Sequence, residues 1–356
     1  RIELGALSAE PFRNWVLFEG LDEDREYPYT LSIDGAKVAE GSLRTWQRSA
    51  EKVAFIVIGD FGNASSGQYR IAGAMAKLVK ERASGDNPIR FVLTTGDNIY
   101  GDIGWRFWRR VSTGDDDSEW APKFYEPYQQ VLRSVPFYPT LGNHDGNMSE
   151  EQGDLAAYLD NFFFPPRGGP ARWYSFNYGG LADFFGLDTT SLTEEGPPKP
   201  AFTAGGKQDQ WLKGEMGRSQ APWKIPYFHN PPFSAGPRHT ASAQELAHWL
   251  PLFQKSGVRV AFSGHEHNFQ FSEVSKETGG IRYVISGAGG ELRNGNVLGA
   301  MASSHIEGWS PQRHFLLVTI ERGLMEITPM ADIAVVVRNA KNEKIEMPLK
   351  VTLPAR

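Results

Sequence analysis

Apolar residues along the chain come in two arrangements. Short, nearly unbroken runs rich in β-branched and aromatic side chains recur at 53–58, 89–94, 137–141, 225–228 and 258–262, the pattern of strands covered on both faces. Between them, apolar positions fall three and four apart. Ile71, Met75, Leu78 and Val79 within 69–82, and Leu246, Trp249, Leu250 and Phe253 within 242–253, predict amphipathic helices, as do 124–132 and 208–215. Strand, loop and helix in alternation predict the α/β class. Further strands, some of them in a second sheet, are predicted at 173–176, 182–187, 269–274, 283–286 and 315–320 and in the tail 335–350.

Residues 1–47 read differently. The stretch 15–18 is strand-like, 20–25 reads as a turn, and 27–33 alternates up to Asp34-Gly35, a hairpin signal before Val38 and Leu43. The division expected is a β-rich segment at 1–47 and the main domain at 48–356. The N-terminal segment resembles the second half of a fibronectin-type or immunoglobulin-like sandwich, whose first half would lie upstream of Arg1. The alternative is a β elaboration packed directly on the main domain.

Composition narrows the chemistry. With 38 Gly and 23 Pro in 356 residues, long irregular loops are expected and a helical bundle is not. A net charge of -5 supplies no bulk field for DNA or RNA, so no nucleic acid is expected as an obligate partner. No apolar run approaches the roughly 18 residues that suggest a membrane span. The chain has no cysteine, which excludes disulfides, thiolate metal sites and cysteine nucleophiles. Any metal must be held by imidazole, carboxylate, amide oxygen or phenolate.

Residues of those types gather at the ends of predicted strands, where open α/β sheets place their sites. They are Asp60 in Gly59-Asp60-Phe61-Gly62, Asp97 and Tyr100 in Gly96-Asp97-Asn98-Ile99-Tyr100, Asn143, His144 and Asp145 in Gly142-Asn143-His144-Asp145, His229 before Asn230, and His265 and His267 in Gly264-His265-Glu266-His267. Each fragment alone is an ordinary turn. Five in succession, each after a β-run, argue against coincidence.

Over about residues 51–325 these segments resemble the calcineurin-like metallophosphoesterase superfamily and, within it, the purple acid phosphatases of the compact tartrate-resistant type. Ser286-Gly287-Ala288-Gly289 and Ser234-Ala235-Gly236 add to the likeness. The resemblance implies a four-layer αββα sandwich with a dinuclear metal centre at the sheet edge. Asp60, Asp97, Tyr100 and His267 would hold the first ion, and Asp97, Asn143, His229 and His265 the second, with Asp97 bridging. Other members of the superfamily carry Asp-x-His at the first block, but here Gly62 takes the place of that histidine. Tyr100 would replace it, and a phenolate among carboxylates suits Fe(III) in the first site, with divalent Fe, Zn or Mn in the second.

The implied reaction is in-line attack of a metal-bound hydroxide on a phosphomonoester, a small molecule or a phosphorylated peptide, releasing inorganic phosphate. His144 would contact the phosphate or the leaving group, Asp145 would hold His144 by a hydrogen bond, and His239 is a candidate donor to the leaving oxygen. Arg238, Arg106 and Arg109 are candidates for remote phosphates, and His305 for the mouth of the site. A phosphodiesterase or nucleotide-directed hydrolase is the alternative chemistry, and a non-catalytic binding module the alternative class. Asp60-Phe61-Gly62 spells a kinase metal motif, but no glycine-rich nucleotide loop accompanies it. Asn63-Ala64-Ser65 and Asn147-Met148-Ser149 match glycosylation acceptors. An extracellular or periplasmic location is expected from the resemblance.

Overall fold

The computed structural model describes residues 18–100, 120–145, 156–162, 172–190, 203–239, 241–242 and 246–354. Among these, two mixed sheets carry the fold. The first, in spatial order, consists of β17 (Leu349–Thr352), β14 (Leu324–Met330), β13 (Phe315–Glu321), β3 (Lys52–Ile58), β4 (Ile89–Thr94) and β5 (Phe137–Tyr138). The second runs β16 (Lys344–Ile345), β15 (Val337–Arg338), β12 (Ile306–Ser310), β10 (Phe269–Ser272), β11 (Arg282–Ser286), β9 (Val260–Ser263), β8 (Trp223–Tyr227), β7 (Ala182–Gly186) and β6 (Tyr174–Tyr178).

The alternation along β3 builds the layers. Val53, Phe55 and Val57 face the second sheet and pack with Phe184, Ile225 and Phe262, while Ala54, Ile56 and Ile58 turn outward onto Ile71 and Met75 of α1 (Ser66–Arg82) and onto Tyr128 and Val131 of α2 (Glu126–Leu132). On the far side of the second sheet, Phe185, Phe228 and Ala261 pack with Leu212 and Met216 of α4 (Lys207–Arg218) and Phe253 of α5 (Leu250–Lys255). A short α3 (Ala156–Asn161) precedes α4 in the chain. Helix, sheet, sheet, helix is the four-layer order expected.

Three elements depart from the sequence reading, each at a proline. The 242–253 stripe is a regular helix only from Leu250: 246–249 are turns, and Pro251, lacking an N–H, stands at the start of α5. Leu246 and Trp249 are buried nonetheless. The helix expected over 124–132 opens with a wide π-turn, Ala121–Tyr125, and Pro127 donates nothing to the Lys123 carbonyl, which accepts from Gln68 Nε2 at 2.5 Å. The run at 137–141 is a strand only up to Tyr138, where Pro139 follows. Strands β12 and β14 were not anticipated.

The N-terminal segment forms a hairpin of β1 (Glu26–Ile33) and β2 (Ala36–Arg44), a sheet of its own turning at Asp34-Gly35. It is tied directly to the main domain. Asp24 accepts from Arg44 Nε at 2.8 Å and Arg90 Nη2 at 2.6 Å, and these cations, Arg44 foremost, hold its carboxyl well below the usual range. Tyr29 Oη donates to the Arg133 carbonyl at 2.9 Å. Trp46 packs among Phe91, Tyr138, Phe176 and Tyr178, with ring centroids 5.2 to 5.9 Å away. Residues 15–17, with the start of the strand expected there, lie outside the described residues, as do Arg106, Arg109 and the Asn147 acceptor site.

Candidate metal centre

Both sheets deliver their site residues to one edge. Parallel β3, β4 and β5 lead into Asp60, Asp97 and Asn143; parallel β8 and β9 lead into His229 and into His265 and His267. The turns that follow are forced. Asp60, Asp97 and His265 adopt φ of 55°, 51° and 69°, a left-handed conformation that costs a non-glycine residue about 1–3 kcal/mol and clusters at functional sites. Glycines allow the loops to meet: a Cβ on Gly62 would lie 1.8 Å from the Asn98 carbonyl oxygen, and one on Gly142 2.1 Å from the Asp97 nitrogen. The turn at His265 also answers how two histidines in alternate positions reach different partners, which a regular strand would prevent.

The side chains form two adjoining groups. In the first, Tyr100 Oη lies 3.2 Å from Asp60 Oδ1 and 3.1 Å from His267 Nε2, and the last two are 3.3 Å apart. In the second, His229 Nε2 lies 2.9 Å from Asn143 Oδ1, 3.1 Å from His265 Nδ1 and 3.5 Å from Asp97 Oδ1. Ligand atoms of Asp60, Asp97 and His229 all fall within 4.8 Å of one another, linking the groups through Asp97. All seven residues expected as ligands are therefore together.

The set fits metal ions. Donors bound at about 2.0–2.2 Å to one ion stand roughly 3.0–3.5 Å apart, which is the spacing within each group. Electrostatics agree. Burial, with the Asp97 charge beside it, pushes Asp60 well above the carboxylate range, and burial beside Asp60 and Asp97 pushes the Tyr100 phenol well up. Burial and the neighbouring His229 and His239 hold His265 well down, while burial and Arg293 lower His267 to about 3. Buried anions stay charged only beside a cation, and depressed imidazoles keep the lone pair a metal takes. His229 Nδ1 faces the Thr95 carbonyl at 2.8 Å, so its N–H donates there and Nε2 turns its lone pair inward.

The remaining expected residues ring these groups. His144 donates its backbone N–H to Asp97 Oδ1 at 2.9 Å and tilts its ring over Tyr100 at 4.6 Å. Asp145 accepts from the backbone N–H groups of Asn98, Ile99 and Gly142 at 3.0, 3.1 and 3.0 Å and from Asn98 Nδ2 at 2.8 Å, clamping the Asp97 loop to the Asn143 loop. Burial and Asp97 push it up to about 7. His239 stacks on His265 at 3.8 Å, held by its backbone N–H on Glu266 Oε2 at 2.6 Å, and burial together with Arg293 lowers it to about 3. Arg238 is placed next to it by a backbone bond to the same carboxylate. His305 pairs with Glu273 at 3.0 Å; these two and exposed Glu277 form a separate trio.

Sequence reasoning passed over Arg293, whose Nε donates to His267 Nδ1 at 3.0 Å. The only signal was its place just beyond Ser286-Gly287-Ala288-Gly289.

The sequence profile of the calcineurin-like phosphoesterases matches residues 53–269, from β3 through all five loops of the site. The chain belongs to the calcineurin-like phosphoesterases. Within this group it is similar to purple acid phosphatase 17 of Arabidopsis thaliana, 27% identical over 282 residues that span 73% of this chain and 76% of the relative. To human tartrate-resistant acid phosphatase type 5 it is 28% identical over 265 residues, 66% of this chain and 72% of the relative. A purple acid phosphatase from yellow lupin seeds shares the fold with a TM-score of 0.67 at 17% identity, covering 92% of this chain and 60% of that one. The family fold together with this buried carboxylate and imidazole cluster is consistent with a metal-dependent phosphoesterase.

Proposed function

We propose that this phosphoesterase is a phosphomonoesterase of the purple-acid-phosphatase kind. The observation that carries the reading is the meeting of Tyr100 Oη with Asp60 and His267 at 3.2 and 3.1 Å, where Gly62 leaves no imidazole. Asp60, Tyr100 and His267 would hold Fe(III), and Asn143, His229 and His265 a divalent Fe, Zn or Mn, with Asp97 between them. When bound, the ion pair supplies Lewis acidity that activates water and neutralises charge growing on phosphorus.

The chain's own residues do the rest. His144, fixed through its backbone on Asp97, presents its ring beside Tyr100 as a contact to a phosphoryl oxygen. His239, on the rim over His265, offers an N–H to the leaving oxygen. Asp145 keeps the Asp97 and Asn143 loops in register. The substrate is a small phosphate ester or phosphorylated peptide, the product inorganic phosphate, and the location outside the cytoplasm, extracellular or periplasmic.

The test compares p-nitrophenyl phosphate with bis(p-nitrophenyl) phosphate on protein loaded with iron plus zinc, manganese or iron, and again after chelation. The reading expects metal-dependent hydrolysis with the monoester favoured. Preference for the diester would make the chain a phosphodiesterase. No hydrolysis of either by metal-loaded protein would point to a binding module.

A further inference from the structure

Arg293 stands at the rim of the centre with a charge that the protein leaves partly unsatisfied. Its backbone N–H donates to the His267 carbonyl at 3.2 Å and its Nε to His267 Nδ1 at 3.0 Å, which fixes the guanidinium against the first group of ligands. Its Nη1 is buried and has no hydrogen-bond partner among the described residues. A dry, unpaired donor on a charged group is costly. The nearby carboxylates do not pair with it: Glu291 Oε1 accepts from Asn63 Nδ2 at 2.9 Å, and Glu266 turns Oε2 to the Arg238 and His239 backbones at 3.2 and 2.6 Å while its Oε1 is buried without a hydrogen-bond partner of its own among the described residues.

The surroundings favour an anion from outside. The guanidinium touches His267, and its charge helps to hold down His267 and His239 and, more weakly, His265, so positive charge here is not offset by the protein. Its loop is braced: a Cβ on Gly295 would come 2.4 Å from Pro237 Cγ, showing how closely this loop lies on the one that carries His239. A guanidinium held this way is pre-ordered for an oxyanion.

We propose that Arg293 is a substrate-binding residue whose Nη1 donates to a non-bridging oxygen of the phosphoryl group, in the substrate and in the inorganic phosphate product. It selects the dianionic group of a monoester over the singly charged group of a diester, because its attraction grows with the charge it meets. The inference rests on the phosphoesterase reading and adds the residue that sets its preference.

Arg293→Met and Arg293→Lys test it in the metal-loaded protein. Metal content is measured by elemental analysis, inorganic phosphate binding by calorimetry, and kcat/KM on the monoester and diester above. In Arg293→Met, metal content should hold, phosphate affinity should fall roughly 10- to 100-fold as for loss of a charge-assisted bond, and monoester kcat/KM should fall with it while the diester changes little. Arg293→Lys should recover part of the phosphate affinity. Unchanged phosphate affinity in Arg293→Met, or equal losses on both esters accompanied by loss of metal, would overturn the proposal and leave Arg293 a prop for His267. A wild type that holds metal yet neither binds phosphate nor hydrolyses either ester would instead overturn the phosphoesterase reading.

Discussion

Tyr100→Phe keeps the buried ring and its contact with His144 but deletes the oxygen that meets Asp60 and His267 at 3.2 and 3.1 Å. Without metal, Asp60 is pushed well above the carboxylate range, so the one proton the phenol can give makes a bond between neutral groups, worth about 0.5–1.5 kcal/mol. Asp60 keeps the His265 N–H, at 3.1 and 3.0 Å from its two oxygens, so the lower end applies. At about 2 °C per kcal/mol for a domain of this size, Tm in chelator should fall by about 1 °C. With iron the loss should be larger, because the first ion then loses an anionic ligand. A 100-fold weaker site at matched free iron removes about 2.7 kcal/mol more of ligand stabilisation. Differential scanning calorimetry in chelator and in iron, with visible spectra at matched iron content, separates the two contributions. Wild type loaded with iron should show a phenolate-to-iron charge-transfer band that the variant lacks. The same Tm difference in both conditions, with an unchanged band, would remove Tyr100 from the iron and refute the reasoning.

His144→Ala removes the ring beside Tyr100 but keeps the backbone N–H on Asp97, so elemental analysis should find metal content near wild type while kcat falls roughly 100- to 10,000-fold. Loss of metal comparable to that in His229→Ala would make His144 a ligand. Trp46→Ala empties the space between Phe91, Tyr138, Phe176 and Tyr178 and should cost about 3 kcal/mol, read as a lower Tm with metal content unchanged. An unaltered Tm would mean that the hairpin segment is not anchored through this residue.

The gathering of these candidate residues was more legible than the element boundaries around them. Ligand types recur after β-runs because parallel strands end together at one edge, so spacing along the chain is converted into proximity without any further information. Two residues apart, His265 and His267 would point the same way on a regular strand; the turn with φ of 69° at His265 lets them reach different partners. Helix boundaries were blurred by Pro127 and Pro251, whose missing N–H groups break the ladder while the apolar stripe around Trp249 and Phe253 remains buried. Asp145 was read through its neighbour in sequence, whereas its bonds reach back to Asn98 and Ile99, which no local pattern displays. Arg293 was missed for the same reason: beyond its place after Ser286-Gly287-Ala288-Gly289, a lone arginine in a loop carries no signal until His267 stands 3.0 Å from it.

The central claim is a dinuclear centre joined through Asp97, whose carboxylate is buried between the two groups and lies 3.5 Å from His229 Nε2. Its most direct test is the number of metal ions per chain, by elemental analysis, in wild type and Asp97→Ala stripped with chelator and reloaded side by side. Wild type should hold two and the variant should lose both, since removing the shared carboxylate takes a ligand from each ion and a negative charge from between them. A folded Asp97→Ala protein that still holds two ions per chain would contradict the bridge.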